Sequence, residues 1–314
     1  MVETLRFDPP LAPGGRGSRI VAIGFFDGVH AGHRAVLAES RRLAALHGHP
    51  VSALTFVEHP RTVLRPEEPV PLLSTWGEKR TLLQEAGADE VLGLHFTPEV
   101  AGMDPADFVE DVLGKALGAA HVVVGFNFRF GRAARGTPDM LAEAGGRLGL
   151  GVTIVPPFQS GEVTVSSTAI REAVSQGDME LAARLLGRPF TLTGLVVPGD
   201  RRGRELGFPT ANLALAPDRL WPADGVYGGH ATWEGGEGPC VLNLGMRPTF
   251  AGREHRFEVH VLDQSSDLYG QNMVIRPEFR IRGEERFPSV DALVARIRED
   301  VAEARRRLGT GATA

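Results

Sequence analysis

The chain has 314 residues, long for a single core, so two domains are the natural expectation. With 42% hydrophobic and 23% charged residues the composition is that of an ordinary globular protein, and a formal net charge of -5 lacks the basic excess of a nucleic-acid binder. Cys240 is the single cysteine, no apolar signal region follows Met1, and no apolar run approaches the ~20 residues that span a bilayer, so a cytoplasmic protein with no nucleic-acid or membrane partner is expected.

In chain order, the runs Ile20–Ile23, Val51–Phe56, Glu90–His95, His121–Val124 and Gly151–Val155 read as buried strands. Helical patterns lie between them and carry recognisable starts. Thr75 and Glu78 have capping-box spacing, and Asp104-Pro105 and Thr137-Pro138 each place an N-cap residue before a first-turn proline. Strands alternating with helices predict an α/β domain, a parallel sheet with helices on both faces. Ligands then gather at the carboxyl ends of the strands. "STAIREAVSQGDMELAARLL" reads as two short helices, the second capped by Asp178.

The pattern changes near Leu186-Gly187. "FTLTGLVV", "GVYGGHATW", "CVLNLG", "FEVHVLD" and "NMVIRP" follow without helices between them, which predicts an antiparallel β-barrel. Pro277 falls inside the last of these runs and predicts an edge position or a bulge. Val290, Leu293, Val294, Ile297 and Val301 share one helical face and predict a closing C-terminal helix. The terminal "GTGATA" is expected to fray. The domain boundary falls between residues 186 and 187.

"GFFDGVHAGH", at the end of the first strand run, holds His30 and His33 beside Asp27, Gly24, Gly28 and Gly32. Zinc ligation would need further donors that the stretch lacks. The two histidines also suit simple helix capping. A third reading uses the position: a helix N-terminus at a strand's carboxyl end favours phosphate, the glycines admit close approach, and two imidazoles about one turn apart would donate to phosphate oxygens.

H-x-G-H at a strand-to-helix junction resembles the signature of a nucleotidyltransferase superfamily, and "SSTAIR", Ser166 to Arg171, resembles its downstream Ser/Thr-x-x-x-Arg element. More of this half is similar to the bacterial bifunctional riboflavin kinase/FAD synthetase family: "TFVEHP", with His59 and Pro60, and "VVVGFNFRFGRAARGTPDML". The resemblance implies a Rossmann-like nucleotidyltransferase domain at 1–186. His30, His33 and Arg171 would be catalytic. Gly24, Asp27, Gly32, Ser167 and Thr168 would bind ATP, and His59, Asn127 and Phe128 would face flavin or adenine. At least one of Phe126, Phe128 and Phe130 is expected to pack beneath its loop instead. Two residues depart from the family pattern. Phe25 stands where asparagine is usual, and Glu58 where proline is; both bear on the adenylyl-transfer rate.

The second half carries "GDRRGRELGFPTANL", a loop with Gly199, Gly203, Gly207 and Arg201, Arg202, Arg204 that suits a polyphosphate but lacks the Walker A spacing. Thr210 and Asn212, two apart, face the same way on a strand and offer hard oxygen ligands for Mg²⁺. "GFPTANL" resembles the riboflavin kinase family, as do "VLNLGMRPTF", "DLYGQ" and "RIRGEERFPSVDALVARI". The resemblance implies a β-barrel riboflavin kinase domain at 187–314. Gly199, Arg204 and Gly207 would hold ATP, Thr210 and Asn212 the Mg²⁺, and Glu258 rather than Glu254 would be the base.

The expectation is a two-step synthesis: riboflavin and ATP give FMN, then FMN and a second ATP give FAD and pyrophosphate. The alternatives are a kinase with weak or absent adenylyl transfer, a nucleotidyltransferase for another acceptor, and a non-catalytic flavin- or nucleotide-binding regulator. Oligomeric state is left open.

Overall fold

The computed structural model describes residues 5–11, 18–199, 202–249, 252–264 and 267–309, with the backbone alone at 202, 247–249 and 252–254. By its contacts the chain divides into two compact units, Met1–Ser167 and Thr168–Ala314.

The first unit is built on one sheet. Its strands are β1 (Phe7–Asp8), β2 (Arg19–Ile23), β3 (Val51–Phe56), β4 (Glu90–Leu94), β5 (Ala119–Gly125) and β6 (Gly151–Val155), in the order β1-β4-β3-β2-β5-β6. All neighbours are parallel except β1, which runs antiparallel to β4. The helices are α1 (Ala31–His47), α2 (Pro60–Leu64), α3 (Trp76–Glu85), α4 (Pro98–Gly102), α5 (Pro105–Asp107, continued as a π-helical stretch Phe108–Ala116) and α6 (Pro138–Arg147). A small hairpin, β7 (Gln159–Ser160) and β8 (Val163–Thr164), precedes the end of the unit.

Alternate strand residues feed opposite faces. Val21, Ile23, Leu54, Val122 and Val124 pack with Phe108, Val112 and Leu113. Ile20, Ala22, Val51 and Ala53 pack with Leu37, Leu43 and Leu83. Both faces are therefore covered, as a parallel sheet requires. The predicted starts are present: the Thr75–Glu78 capping box is closed in both directions, and Asp104 and Thr137 accept from Ala106 and Met140 N–H ahead of proline-led helices. The strand order reverses beside β2, which pairs β3 on one edge and β5 on the other. Such a reversal opens a crevice at the carboxyl ends of the strands.

The second unit holds most of α7 (Ser167–Gln176), then α8 (Met179–Leu186), β9 (Leu192–Val197), α9 (Arg202–Glu205), β10 (Ala211–Leu215), β11 (Gly225–Trp233), β12 (Gly236–Thr249), β13 (Gly252–Val261), β14 (Asn272–Arg282) and α10 (Val290–Leu308). The six strands close an antiparallel barrel in the order β10-β13-β12-β11-β14-β9, with β9 paired back to β10. Closure leaves no unpaired edge. Pro277 sits at a bulge and on a locally free side of the strand: β11 registers Gly229 with Pro277 but Gly228 with Phe279, and pairing with β9 has ended at Ile275.

α10 begins at the Ser289 cap and is anchored by Asp300, 2% exposed, which accepts three hydrogen bonds from the Arg282 guanidinium of β14 at 2.8–3.1 Å. Of the predicted apolar face, Leu293, Ile297 and Val301 line a cavity and Val290 is exposed. Gly309 caps the helix in the left-handed region, and the rest of "GTGATA" lies outside the described residues.

By contacts, α8 joins the barrel unit rather than the unit that precedes it in sequence. Glu180 pairs with Arg307 of α10 at 2.9 Å, and Ala223 N–H donates to Val174 O at 3.3 Å. The contact division therefore falls 19 positions before the 186/187 boundary expected from the strand pattern.

Candidate active sites

Residues 24–30 run directly off the carboxyl end of β2, at the sheet's reversal. Phe26 and Val29 hold φ of 54° and 40°, and Gly28 holds 76°. For a β-branched valine this is strained backbone, of a kind that concentrates at functional sites. The strain is held by Asp27, which is fully buried. Its carboxylate accepts from Leu73 N–H and Ser74 N–H, both at 3.0 Å, and from Ser74 Oγ at 3.2 Å; Ser74 Oγ in turn accepts from Gly28 N–H at 3.0 Å. A carboxylate so occupied organises the loop, and its charge suits it poorly to direct phosphate contact.

α1 begins at Ala31, ahead of His33. His30 is its N-cap: Nδ1 accepts from His33 N–H at 3.2 Å. The two imidazoles stack with centroids 3.5 Å apart, and Phe26 meets His33 edge-on at 5.1 Å. A Cβ at Gly32 would press within 3.2 Å of the His30 ring, so the glycine makes room for the stack. Burial, then the neighbouring His30 and Lys79 charges, hold His33 well below the usual histidine range. His33 is therefore neutral at pH 7, and its Nδ1 is buried with no hydrogen-bond partner among the described residues.

"SSTAIR" reaches this loop through its second serine: Ser167 Oγ donates to Asp27 O at 3.1 Å. Thr168 follows on the first turn of α7, and Arg171 lies one turn further on from Ser167.

His59 caps α2 by accepting from Arg61 N–H at 3.1 Å, and its ring meets Phe25 edge-on at 4.4 Å. Glu58 is engaged by His95: its carboxylate takes His95 Nδ1 at 2.7 Å and Phe96 N–H at 2.9 Å. Burial alone would raise Glu58, but these hydrogen bonds outweigh it and the carboxyl lies below its usual range.

In "GFNFRFG", Asn127 is exposed just past β5, and Phe126 is 43% exposed. Phe128 packs on the core and stacks with Phe130 at 5.5 Å; Phe130 is 5% exposed and meets Phe108 at 5.4 Å. Phe130 is thus the ring beneath its loop.

In the second unit Gly203, Thr210, Asn212 and Glu258 converge on one cavity of about 450 Å³, while Gly199 lies off its lining. Strand register explains why: Asn212 on β10 lies opposite Glu258 on β13, and Glu258 lies opposite Asn243 on β12. The three form a row across neighbouring strands, with Thr210 beside it at the cavity wall. Arg256 Nη1 lies 3.9 Å from the Glu258 carboxylate.

The glycine loop is fitted to this row. A Cβ at Gly199 would overlap the Asn212 amide, and one at Gly203 would overlap Phe208 O. His260 hydrogen-bonds Pro209 O through Nδ1 at 2.8 Å and so steadies the segment bearing Thr210. Gly203 lines the cavity; Arg204 is exposed and, like Gly207, lies off the lining. Arg201 lies outside the described residues, as do the side chains of Arg202 and Glu254. Leu293, Ile297, Val301 and Phe287 form an apolar wall.

Three residues that stand at these places are not singled out by the sequence. Asn243 and His260 show only through strand register. Lys79, in "WGEKRTLL", looks like a solvated helix charge but is 1% exposed behind Phe25. Among the described residues no three of His, Cys, Asp and Glu gather to hold a metal ion, so a cation in either site would draw on neutral oxygens, water or substrate phosphate.

A doubly wound α/β unit with H-x-G-H at its switch point, joined in sequence to a closed barrel with a polar row facing a cavity, defines a two-site nucleotide-handling class. The FAD synthetase family pattern matches residues 15–169 and the riboflavin kinase pattern residues 186–308. A bifunctional riboflavin kinase/FMN adenylyltransferase of Escherichia coli K12 is 38% identical, covering 92% of this chain and 93% of the relative. Those of Pseudomonas fluorescens and Bacillus subtilis are 39% and 34% identical, covering 94% and 91% of each chain in the pair. The chain belongs to the bifunctional riboflavin kinase/FMN adenylyltransferase family. A solved structure described as a macrolide-efflux protein from Streptococcus pneumoniae is also similar, with TM-score 0.83 and 32% identity over 93% of this chain and 95% of that one. Among the described residues of this chain no helix is long and apolar enough to cross a membrane.

Proposed function

We infer that the second unit phosphorylates riboflavin with ATP to give FMN and ADP, and that the first transfers AMP from a second ATP to the FMN phosphate, giving FAD and pyrophosphate. One observation above all supports it: Thr210 and Asn212, and Glu258 from a strand well downstream in sequence, line one cavity of the unit that the riboflavin kinase pattern covers.

In the kinase site Glu258 accepts the proton of the ribityl 5′-hydroxyl as that oxygen attacks the γ-phosphate. Arg256 steadies the carboxylate. Thr210 and Asn212 are the residues suited to Mg²⁺, their neutral oxygens leaving the rest of the shell to water and phosphate. When bound, the ion offsets phosphate charge. Gly199 and Gly203 give the phosphates a close backbone, Arg204 and Gly207 extend that loop, and the apolar wall of α10 receives the flavin ring.

In the adenylyl-transfer site the FMN phosphate attacks the α-phosphorus of ATP and pyrophosphate leaves. Little covalent help is needed; charge must be stabilised. His30 and His33 present ring N–H groups to the phosphates at the start of α1, with Gly24 and Gly32 giving access. Asp27 positions the loop. Ser167, Thr168 and Arg171 take the pyrophosphate end, and His59, Asn127 and Phe128 the flavin or adenine. Both steps use cytosolic co-substrates, which fits a cytoplasmic enzyme.

The test is chromatography of the flavins formed from riboflavin, and separately from FMN, with MgATP. Riboflavin should pass through FMN to FAD, and EDTA should stop it. FMN accumulating with no FAD from either substrate would leave only the kinase half of the reading standing.

A further inference from the structure

Lys79, on the first turns of α3, is 1% exposed. Its Nζ donates to Phe25 O at 3.2 Å and to Phe56 O at 3.0 Å, and lies 4.1 Å from the Phe25 ring centroid. The two carbonyls belong to the carboxyl ends of neighbouring parallel strands: Phe56 ends β3, and Phe25 stands two residues past β2. No carboxylate among the described residues comes within ion-pairing distance of Nζ. The carboxylates nearest in charge are already committed, Asp27 to Leu73 and Ser74, and Glu58 to His95 and Phe96.

An ammonium buried with no carboxylate in ion-pairing distance, and only the more distant Asp27 and Glu58 charges to offset it, is costly to keep. A helix that needed only packing there would carry leucine or methionine. The feature is explained if the missing partner is an anionic substrate in the adjacent crevice. We propose that Lys79 is a positioning residue of the adenylyl-transfer site: a buried cation that holds the carboxyl ends of β2 and β3 together behind the His30–His33 pair and lends positive potential to bound phosphate, with the Phe25 ring as its cover. The inference rests on the adenylyl-transfer reading above. It also gives Phe25 a use, since an asparagine at that place would expose the ammonium to water.

Burial pushes Lys79 down to about 8, while Asp27 and Glu58 oppose the shift. His30 and His33 are the other titratable groups that face this corner of the sheet, and His33 feels the Lys79 charge directly. The cation is therefore present below about pH 8 and lost above it.

The experiment uses the full chain and follows FMN to FAD and riboflavin to FMN as separate rates against pH. In the unaltered chain, kcat for FAD formation should fall as pH rises through about 8. Lys79→Arg, whose guanidinium does not titrate, should abolish that limb whatever its absolute rate. Phe25→Asn should move the limb to higher pH. Lys79→Met should lower kcat for FAD formation at least thirtyfold and leave the kinase rate within twofold. The inference is overturned by a flat profile between pH 7 and 9 in the unaltered chain, by the same limb in Lys79→Arg, or by a folded Lys79→Met within threefold of the original kcat. If Lys79→Met does not fold, the unaltered and arginine profiles decide alone. A chain that forms no FAD at any pH overturns the adenylyl-transfer reading and this inference together; FAD formed with a flat profile overturns this inference only.

Discussion

Ser167 Oγ and the main-chain carbonyl of Asp27 are 3.1 Å apart in space and 140 positions apart in sequence. One hydrogen bond thus ties the start of α7 to the strained loop that carries His30 and His33. The loop is clasped from outside by this bond and from within by the buried Asp27 carboxylate.

Removing the outer clasp by Ser167→Ala should cost stability only about 0.5–1.5 kcal/mol, the net worth of one hydrogen bond. Its effect on FAD formation should be larger, about tenfold or more, because a small misplacement of positioned groups is expensive in rate. Kinase turnover in the same preparation should not change. Equal losses in both reactions would refute the assignment.

Asp27→Asn puts an amide N–H₂ where the Leu73 and Ser74 donors already point. The mismatch leaves buried donors unpaired at about 1–3 kcal/mol. Thermal unfolding should show this as a lower midpoint, and FAD formation should fall with it. An Asp27→Asn chain as stable as the original would mean the carboxylate does not hold the loop.

Glu258→Gln keeps the shape of the cavity wall and removes the proton acceptor. The kinase rate should fall at least ~100-fold, the lower end of what a positioned general base supplies. FAD formation from added FMN should be untouched. Unchanged kinase turnover would reject Glu258 as base.

Gly199→Ala tests the fit of the loop to the polar row. The added methyl overlaps the Asn212 amide, so the loop or the amide must shift. Kinase activity should drop while FAD formation and the unfolding midpoint hold. A variant with normal affinity for MgATP would contradict the close approach.

His33 makes stability depend on pH in a calculable direction. Its folded-state pKa lies well below the usual 6.5, so the folded chain keeps it neutral while the unfolded chain takes a proton. Acid therefore favours unfolding: the full contribution is present above about pH 6.5 and is lost progressively below it. Unfolding midpoints measured down this range should fall, and His33→Phe should flatten the curve. A ring that titrates near 6.5 by NMR would disprove the buried, neutral state.

Much of this fold is legible in the sequence because it is local. Val51–Phe56 and Gly151–Val155 are strands residue for residue, since their apolar runs end at turn formers. Thr75, Asp104, Thr137 and Asp178 cap where spacing predicts, because a cap is decided within four residues. The misses are of another kind. Lys79 is buried where Phe25 O and Phe56 O meet, a juxtaposition visible only once β2 and β3 lie side by side. Asn243 belongs with Glu258 because of barrel register. Asp27 is a phosphate candidate in sequence, and its bonds to a segment 46 residues away show only in the fold. α8 has its contacts with β14 and α10, which come last in the chain.

The clasp on Asp27 also sets an order of events during synthesis. β2, α1 and both histidines leave the ribosome early, and their sheet can assemble from what has already emerged. Ser167 is the last residue of that unit to appear. A chain arrested before it carries every strand of the parallel sheet and a loop still open on one side, so a nascent chain cannot acquire a fully braced adenylyl-transfer site ahead of its final clasp. Translation itself keeps that half of the molecule incomplete until the barrel is about to follow.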